Sequence, residues 1–282
     1  MREFEYVRKG EPILVRNVLK EHFGFSKGVI VKLKEHKGIF VNGESVTVRK
    51  EMKENDVLKV VLSEEHSENI VPTPMELDIL YEDDDILAVS KPYDLPTHPS
   101  LNHYTDTLAN GVMHYFRDRA FTFRAVNRLD RETSGVVLIA KNRNSAHKLS
   151  RQLKEGLIEK TYYALTEGEV SPKSGIIDKP IARKDESLIL RCVSMDGKSA
   201  VTEYETVEAN LLRVKPKTGR THQIRVHLSY MGKAIIGDTL YGTKKDGERL
   251  MLHCGEMSFY HPVTNEKITV KAELPQEFYK KI

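Results

Sequence analysis

The stretch AVNRLDRETSGVVLIAKN, residues 125–142, joins a charged segment to an apolar one. The charged residues around Asp130 are followed by Gly135 and then by the aliphatic run Val136–Ala140. The aliphatic run predicts a buried strand, and the small residues Thr133–Gly135 predict a tight turn that leads into it. Asp130 would therefore lie on a loop held at the edge of a rigid sheet.

Asp130 lies between two arginines, Arg128 and Arg131. Such a triplet on a surface loop is usually an ion pair that contributes at most about 1 kcal/mol to stability. A loop fixed by a buried strand changes this expectation, because a carboxylate held there is positioned rather than mobile. An arginine a few ångströms away would favour the ionised form, and an ionised, positioned carboxylate can act as a nucleophile or a base.

The bulk composition bounds the class of protein. With 282 residues, 39% hydrophobic and 30% charged, the chain fits a globular protein with one large domain and a small appendage. Its apolar runs are too short to span a bilayer, and its first ten residues are too polar for a signal peptide. The two cysteines, Cys192 and Cys254, form neither a disulfide framework nor a metal motif, and they predict a reducing cytoplasm.

Charge is distributed unevenly along the chain, although the net charge is only +3. Lys and Arg are absent from Glu64 to Ile86, Asp and Glu are absent from Leu211 to Lys233, and basic residues outnumber acidic ones from Arg124 to Lys160. Clustered positive charge indicates a polyanionic partner, with an ordinary solvated surface as the alternative.

The N-terminal part predicts a small separate domain. Leu14, Val18 and Leu19 have helical spacing, Ser26 is a candidate N-cap for a second helix, and Asn42-Gly43 predicts a hairpin turn. A further strand is expected over residues 57–62. We therefore predict an N-terminal domain at residues 1–65, a linker at 66–75, which is polar and contains two prolines, and a main domain at 76–282.

Helices and strands mix without regular alternation in the main domain. Strands are predicted at both ends of LDILYEDDDILAVSKP and within GVVLIAK and KTYYALTEGEV, and helices within TLANGVMHYFRD and NSAHKLSRQLKEGL. This order predicts an α+β fold with a central mixed or mainly antiparallel sheet flanked by helices, next to a small N-terminal α/β domain.

Several common chemistries are excluded by missing residues. The segment DGKS, 196–199, lacks the glycine of a phosphate loop, because that position is Cys192. His222 and His227 lack the spacing of two metal ligands on one helical face, and on a strand they would face opposite sides. We expect them to be structural hydrogen-bonding groups, and we expect no metal. The remaining candidates for chemistry are carboxylate, phenol and guanidinium groups.

Together, RLDRETSG, EKTYYAL and KPKTGRTHQIRVH resemble the three motifs of the RluA-type pseudouridine synthases, in order and spacing. Further similar segments, among them SKPYDLPTHP, GKSAVTEY and GDTLYG, extend the resemblance over roughly residues 75–280. It implies the pseudouridine synthase fold and the isomerisation of uridine in RNA, with no cofactor. The base is detached from the sugar, rotated and rejoined through C5, at the cost of flipping the nucleotide out of its stack.

The resemblance assigns roles position by position. Asp130 would be the catalytic aspartate, Tyr162 the tyrosine that packs on the base and helps to remove its C5 proton, and Arg225 the partner of Asp130. Substrate contacts are implied for Arg128, Lys160, Arg220 and Leu252. Asn127 replaces the usual histidine, for which we expect an altered RNA contact, and Cys254 is expected to be a small core residue. Whether Asp130 attacks the sugar, attacks the base or removes a sugar proton is left open.

The N-terminal unit is similar to the ribosomal S-four-type RNA-binding domain, on the helix pair followed by IFVNGESVT and ENDVLKVVL. That resemblance implies that the basic residues of the helices hold RNA phosphates. Without the resemblance, the same residues would be interpreted as a solvent-exposed helix face. They are Arg16, Lys20, Lys27, Lys32, Lys34 and Lys37. The combined expectation is a monomeric enzyme that acts on structured RNA, foremost large-subunit ribosomal RNA. The alternatives are the same chemistry on tRNA and a non-catalytic RNA-binding ribosome-assembly factor.

Overall fold

Apolar residues form two large separate clusters, one before residue 63 and one after residue 69. They are seen in a computed structural model, which describes residues 2–62, 69–184, 187, 189–243 and 248–281. The two clusters agree with the predicted division into a small and a large domain. The boundaries themselves remain a prediction, and the linker residues 66–68 lie outside the described residues.

The N-terminal domain has a four-stranded sheet in the order β1-β6-β3-β4 and a separate β2-β5 pair. Ser26 caps the second helix by accepting a bond from Val29 N, and Asn42 and Gly43 have the positive φ angles, 52° and 84°, that a tight hairpin requires. The predicted helix pair, hairpin and closing strand are all present. Its elements are β1 (Arg2–Val7), β2 (Ile13–Leu14), α1 (Val15–Asn17), which continues as a π-helical turn (Val18–His22), α2 (Lys27–Glu35), β3 (Ile39–Val41), β4 (Glu44–Ser45), β5 (Glu51–Met52) and β6 (Val57–Leu62).

The main domain is built on a nine-stranded sheet in the order β11-β14-β15-β10-β16-β9-β8-β7, with β17 added beside β16. Its strand pairs are antiparallel except β16 with β9, which confirms the predicted mixed, mainly antiparallel sheet. The strands of this sheet are β7 (Asp78–Glu82), β8 (Ile86–Lys91), β9 (Ser134–Ala140), β10 (Glu159–Leu165), β11 (Ser174–Asp178), β14 (Val201–Glu208), β15 (Leu211–Pro216), β16 (Leu252–Tyr260) and β17 (Lys267–Lys271). A separate pair is formed by β12 (Ile181–Arg183) and β13 (Arg191–Val193). All seven residues of β9 are buried, as its aliphatic sequence predicted.

Helices lie against this sheet and have the caps that their sequences offer. They are α3 (Leu108–Tyr115), α4 (Arg143–Glu155), α5 (Gln223–Tyr230) and α6 (Gln276–Tyr279). Thr107 and Asn110 form a capping box at α3, while Asn142 caps the start of α4 and Gly156 ends it in a left-handed conformation. The strand considered for the region of His222 and His227 is absent, because β15 ends at Pro216 and α5 begins at Gln223.

The described part of the predicted linker is hydrogen-bonded to helix α3. Asn110 Nδ2 donates to Val71 O at 2.7 Å, and Thr73 N donates to Asn110 O at 3.1 Å. These bonds fasten the chain before it enters β7. Among the described helices, none combines the length and the apolar character needed to cross a bilayer.

Candidate active site

The loop that carries Asp130, residues 125–134, is here called the aspartate loop. Asn127 on this loop is buried, and its amide donates to Val136 O at 3.1 Å and accepts from Leu138 N at 2.9 Å. The side chain thus makes the hydrogen bonds to the backbone of β9 that a neighbouring strand would otherwise make. Both ends of the amide are therefore engaged within the protein, which gives Asn127 a structural role, while the altered RNA contact expected at this position stays a prediction.

Thr97 holds the middle of the aspartate loop. Its buried hydroxyl donates to Leu129 O at 2.8 Å and accepts from Leu129 N at 3.3 Å. A further bond from Thr133 N to Asp130 O, at 3.1 Å, closes the turn directly after the aspartate. The backbone on both sides of Asp130 is therefore fixed, which leaves mainly its own side-chain torsions free.

Lys91, at the end of β8, is fully buried beneath the loop. Its ammonium donates to three carbonyl oxygens, those of Pro92 at 2.9 Å, Leu95 at 2.7 Å and Arg131 at 3.1 Å. Burial lowers the pKa of Lys91 to about 7, while the charge of Asp130 acts to raise it. The three acceptors match the three protons of the charged form, so Lys91 joins the loop to the sheet when it is protonated.

Gly135, the second residue of β9, lies at a position where only a glycine fits. Its φ angle is +112°, and a Cβ atom built there would lie 2.1 Å from Cys254 O. At this residue β9 pairs in parallel with β16, with Gly135 opposite Cys254. A side chain is excluded by both the backbone conformation and the close approach, so the glycine lets the aspartate loop end at the junction of the two strands.

Arg225, on α5, lies at the centre of three carboxylates and is almost fully buried. It binds Asp238 through two bonds, Nε to Oδ2 at 2.8 Å and Nη2 to Oδ1 at 2.7 Å, and Glu132 through Nη2 at 3.1 Å. Its Nη1 lies 3.8 Å from Asp130 Oδ2. Burial alone would lower the pKa of Arg225, but the hydrogen bonds and charge of Asp238, with the charges of Asp130 and Glu132, raise it above its ordinary value. The arginine therefore stays charged and faces the aspartate, as predicted.

Two histidines of the third motif have different surroundings. His222 Nε2 lies 3.8 Å from Asp130 Oδ2, and its Nδ1 lies 2.8 Å from the Tyr241 hydroxyl. His227 is buried farther along α5, where its Nδ1 bonds to Thr202 and its Nε2 to a backbone carbonyl. The structural role expected for His227 agrees with these bonds. His222 faces the candidate catalytic carboxylate, which the sequence analysis did not predict.

Gln223 explains why the third motif turns and then becomes helical. Its Oε1 accepts bonds from Thr218 Oγ1 at 2.7 Å and Arg220 N at 3.0 Å. Its Nε2 donates to Val201 O at 2.9 Å, on the neighbouring strand β14. The side chain thereby holds the loop between β15 and α5 in place, and this loop directs both His222 and Arg225 toward the aspartate.

Tyr162 lies in the wall of the cleft beside Asp130, next to a register shift between Thr161 and Tyr162 in the β10–β16 pairing. A β-bulge of this kind redirects a side chain from the regular alternation. Burial, the Cys254 thiol and the charge of Asp130 raise the pKa of Tyr162 well above its ordinary value, so its phenol is neutral. Burial also raises the pKa of Cys254 to about 12, which agrees with the expected role as a core residue.

These side chains line a cleft of about 1330 Å³. The four residues predicted to contact substrate also line it: Arg128 and Arg220 are exposed, Lys160 is half-buried and Leu252 is buried. We call the exposed basic residues along this cleft the basic rim: Arg128, Arg131, Lys154, Lys215, Lys217 and Arg220. Acidic residues lie among them, and Glu203 pairs with Lys217 at 2.7 Å.

Other residues of the site carried no sequence prediction. Thr97 and Lys91 lie in the segment SKPYDLPTHP, and Asp238 and Tyr241 lie in GDTLYG. Both segments were part of the resemblance, but no role was attached to their residues. Each acts through a contact distant in sequence, such as Lys91 with Arg131 or Arg225 with Asp238, and such contacts leave no local pattern.

Within the described residues, one group could hold a metal ion by proximity: Asp83, Asp85 and His261. His261 Nδ1 accepts bonds from Val263 N and Thr264 N, at 3.3 and 3.0 Å. The neutral ring must then carry its proton on Nε2, which lies 3.0 Å from Asp83 Oδ2. With Nδ1 occupied by backbone donors and Nε2 protonated, the neutral ring offers no free lone pair to a metal ion.

Comparison with known proteins agrees with this geometry. The model of the family described as RNA pseudouridylate synthase matches residues 85–230. "Uncharacterized RNA pseudouridine synthase YjbO" of Bacillus subtilis (strain 168) is 40% identical over 92% of this chain and 95% of that protein. "Ribosomal large subunit pseudouridine synthase D" of Vibrio cholerae is 34% identical over 85% of this chain and 80% of that protein.

Among solved structures, "Human RNA Pseudouridylate Synthase Domain Containing 1" is similar to this chain. It aligns with a TM-score of 0.61 at 28% identity, over 70% of this chain and 83% of that chain. The fold, the family match and the relatives lead to one conclusion. The chain belongs to the RluA-type family of RNA pseudouridine synthases, and it is an isomerase that modifies RNA.

Proposed function

We propose that this chain isomerises specific uridines of large-subunit ribosomal RNA to pseudouridine, with Asp130 as the catalytic aspartate, Tyr162 as the base-packing tyrosine and Arg225 as the cationic partner. The observation that carries the proposal is the position of Asp130. It is a partly exposed carboxylate on an otherwise fixed loop, 3.8 Å from a buried arginine, and it lines the same cleft as Tyr162.

The reaction breaks the bond between N1 of uracil and C1′ of the sugar, forms a bond between C5 and C1′, and releases the proton of C5. N1 takes up a proton in turn, so the reaction exchanges one bond to the sugar for another, has no net change in protons and needs no external reactant. A carboxylate at the junction of sugar and base can act as a nucleophile or base in this exchange. Arg225 places a positive charge 3.8 Å from this carboxylate, and its guanidinium is itself held in place by Asp238 and Glu132.

Tyr162 supplies an almost fully buried aromatic ring in the wall of the same cleft. A detached uracil must be retained while it rotates, and a flat ring offers a surface on which it can stack. Because the pKa of Tyr162 is raised by burial, the phenol enters the reaction protonated, and a role in removing the C5 proton would need a second base. Packing on the base is therefore its primary role.

Large-subunit ribosomal RNA is favoured by two observations. Relatives at 34% identity are named ribosomal large subunit pseudouridine synthase D. In addition, the N-terminal domain has the predicted helix pair, whose basic residues are exposed apart from the half-buried Lys32, which pairs with Glu35 at 3.2 Å. These residues would hold phosphates beyond the cleft, as the resemblance to the S-four-type domain implies.

We further propose that the protein acts as a monomer in the cytoplasm, with Cys192 and Cys254 unpaired as a reducing compartment requires.

Tritium release from RNA that carries 5-tritiated uridine tests the substrate class. The full chain would be incubated with large-subunit ribosomal RNA, with partly assembled large-subunit particles and with a tRNA mixture, and the isosteric Asp130→Asn variant would serve as the matched control. We expect release from the ribosomal substrates with the wild type alone. Release from tRNA only would contradict the ribosomal assignment. Binding without release from any of the RNAs would support the assembly-factor alternative for this chain.

A further inference from the structure

His222 has a left-handed backbone conformation, which few residues with a side chain adopt. It is the residue directly before α5, with φ 55° and ψ 20°, and its side chain makes no capping bond to the helix. Left-handed conformations at residues other than glycine and asparagine are uncommon, and they concentrate where a side chain must be directed to a functional site. The side chain of His222 lines the cleft and faces Asp130.

The hydrogen bonds of Tyr241 determine which ring nitrogen of His222 carries the proton. The Tyr241 hydroxyl accepts a bond from Arg191 N at 2.9 Å, and it lies 2.8 Å from His222 Nδ1. Burial lowers the pKa of His222, so the ring is neutral at pH 7, although Asp130 acts to raise that pKa. Among the described residues, His222 Nδ1 is the acceptor within reach of the Tyr241 hydroxyl proton, and we therefore assign the ring proton to Nε2, on the side of Asp130.

Two N–H donors thus approach one oxygen of the aspartate. Arg225 Nη1 and His222 Nε2 each lie 3.8 Å from Asp130 Oδ2. These distances are too long for hydrogen bonds, but such contacts in a free enzyme often shorten when substrate binds. The described residues make no hydrogen bond to Oδ1, so this second oxygen remains for the substrate. Tyr241 also lies against Arg225, with the guanidinium carbon 5.5 Å from its ring centre, and therefore contacts both donors.

We propose that His222 is a positioning residue for Asp130: its Nε2–H, fixed by Tyr241, holds Oδ2 together with Arg225 and directs Oδ1 to the reacting nucleotide. This inference rests on the proposed role of Asp130. It adds a neutral hydrogen-bond donor to the three residues already proposed for the active site, the aspartate, the tyrosine and the arginine. It also gives a function to Tyr241, which selects the tautomer of His222 and supports the guanidinium from the same ring.

Single-turnover tritium release, with RNA concentration varied to separate the maximal rate from the half-saturating concentration, tests the inference. We expect His222→Ala to lower the maximal rate about 10-fold to 100-fold, as loss of one preorganised donor does elsewhere, with little change in half-saturation. His222→Gln can place an amide N–H near the position of Nε2 and should restore most of the rate. Tyr241→Phe keeps the ring but removes the hydroxyl proton, and we expect an intermediate loss.

A ¹⁵N NMR spectrum of the histidine side chains gives a second measure that a purely structural role would not predict. The His222 signal is identified as the one that disappears in His222→Gln. In the wild type this signal should be that of a neutral ring protonated at Nε2. In Tyr241→Phe it should shift toward a mixture of the two tautomers. His227→Gln is the matched control on the same helix, because His227 bonds to Thr202 rather than facing Asp130. Its rate per folded molecule should equal that of the wild type.

Three results would overturn the inference: a wild-type rate in His222→Ala, an equal loss in His222→Gln and His222→Ala, or a change confined to half-saturation. Asp130→Asn, measured in the same series, separates this failure from failure of the proposed function. If Asp130→Asn is inactive while His222→Ala is normal, only the inference about His222 fails. If Asp130→Asn turns over, the proposed role of the aspartate fails with it.

Discussion

The aspartate loop and the basic rim border the same cleft but are built in opposite ways. The loop is held by buried polar side chains, Asn127, Thr97 and Lys91, each with at least two hydrogen bonds. The rim consists of exposed side chains. Arg128 shows the contrast within a single segment, since it precedes the fixed Leu129 while its own side chain is exposed. Chemistry should therefore depend on the loop, and RNA affinity on the rim.

Gly135→Ala should have the largest effect, because the new Cβ would meet the backbone of Cys254 at the strand junction. We expect a loss of more than about 4 kcal/mol in the free energy of unfolding, or failure to fold. Gly156→Ala is the control: that glycine also has a positive φ, 73°, but nothing lies within 4 Å of the Cβ position. Urea denaturation should give a cost of about 1–2 kcal/mol there. Equal costs at both positions would show that the close approach at Gly135 is unimportant.

Arg225→Met should cost about 3–5 kcal/mol of stability, because it leaves the fully buried Asp238 without its cation. The double variant Arg225→Met with Asp238→Leu removes both charges and should regain much of that stability. It should not regain activity, since Asp130 still lacks its partner. Denaturation and tritium release on the same samples check this separation. Recovery of both quantities together would mean that Arg225 serves only the fold.

Acidification should weaken the fold through His253, which connects β16 to Ser134 at the end of the aspartate loop. Burial lowers the pKa of His253 to about 4, whereas an unfolded histidine titrates near 6.5. Between these values the unfolded chain binds more protons, so stability falls as pH falls from about 6.5 to about 4, by about 3 kcal/mol in all. In His253→Gln the decline, measured by urea denaturation at each pH, should be shallower. An unchanged decline would assign it to other groups.

The basic rim should show the smallest effect, and it should appear in binding alone. Lys154→Gln combined with Lys215→Gln should weaken RNA binding and reduce the slope of log affinity against log salt by about one per lost phosphate contact. Filter binding at several salt concentrations measures this slope. The maximal rate of tritium release should be unchanged, and Lys280→Gln, exposed outside the cleft, should leave both quantities unaffected. A slower maximal rate in the double variant would remove the distinction between loop and rim.

Sequence alone predicted the parts of the molecule that local pattern determines. The aliphatic run gave β9, Asn42-Gly43 gave the hairpin, and Asn142 and Gly156 are found as the caps of the predicted amphipathic helix α4. The helix α5 was missed, because the bonds of Gln223 to a distant strand decide where β15 ends and the helix begins.

The three residues named from the sequence, Asp130, Tyr162 and Arg225, line one cleft, and their catalytic roles stay predictions. The side chains that hold the site could not be predicted, since Lys91 and Asp238 are polar residues whose burial depends on partners far along the chain. The structural role of Asn127 could not be predicted for the same reason: its amide bonds to the backbone of β9, and only the folded chain brings that edge beside it. His222 was predicted to have only a structural role, because the local sequence pattern shows neither its left-handed backbone conformation nor its short distance from Asp130.

The proposed role of the fixed Asp130 carboxylate is to perform the isomerisation. Single-turnover tritium release by Asp130→Asn, with RNA in excess of its dissociation constant and folding verified by thermal denaturation, tests it most directly. We predict that the variant binds RNA as the wild type does and releases no tritium above background. Release by the folded variant at a rate within about tenfold of the wild type would contradict the claim, since a positioned catalytic carboxylate contributes far more than that.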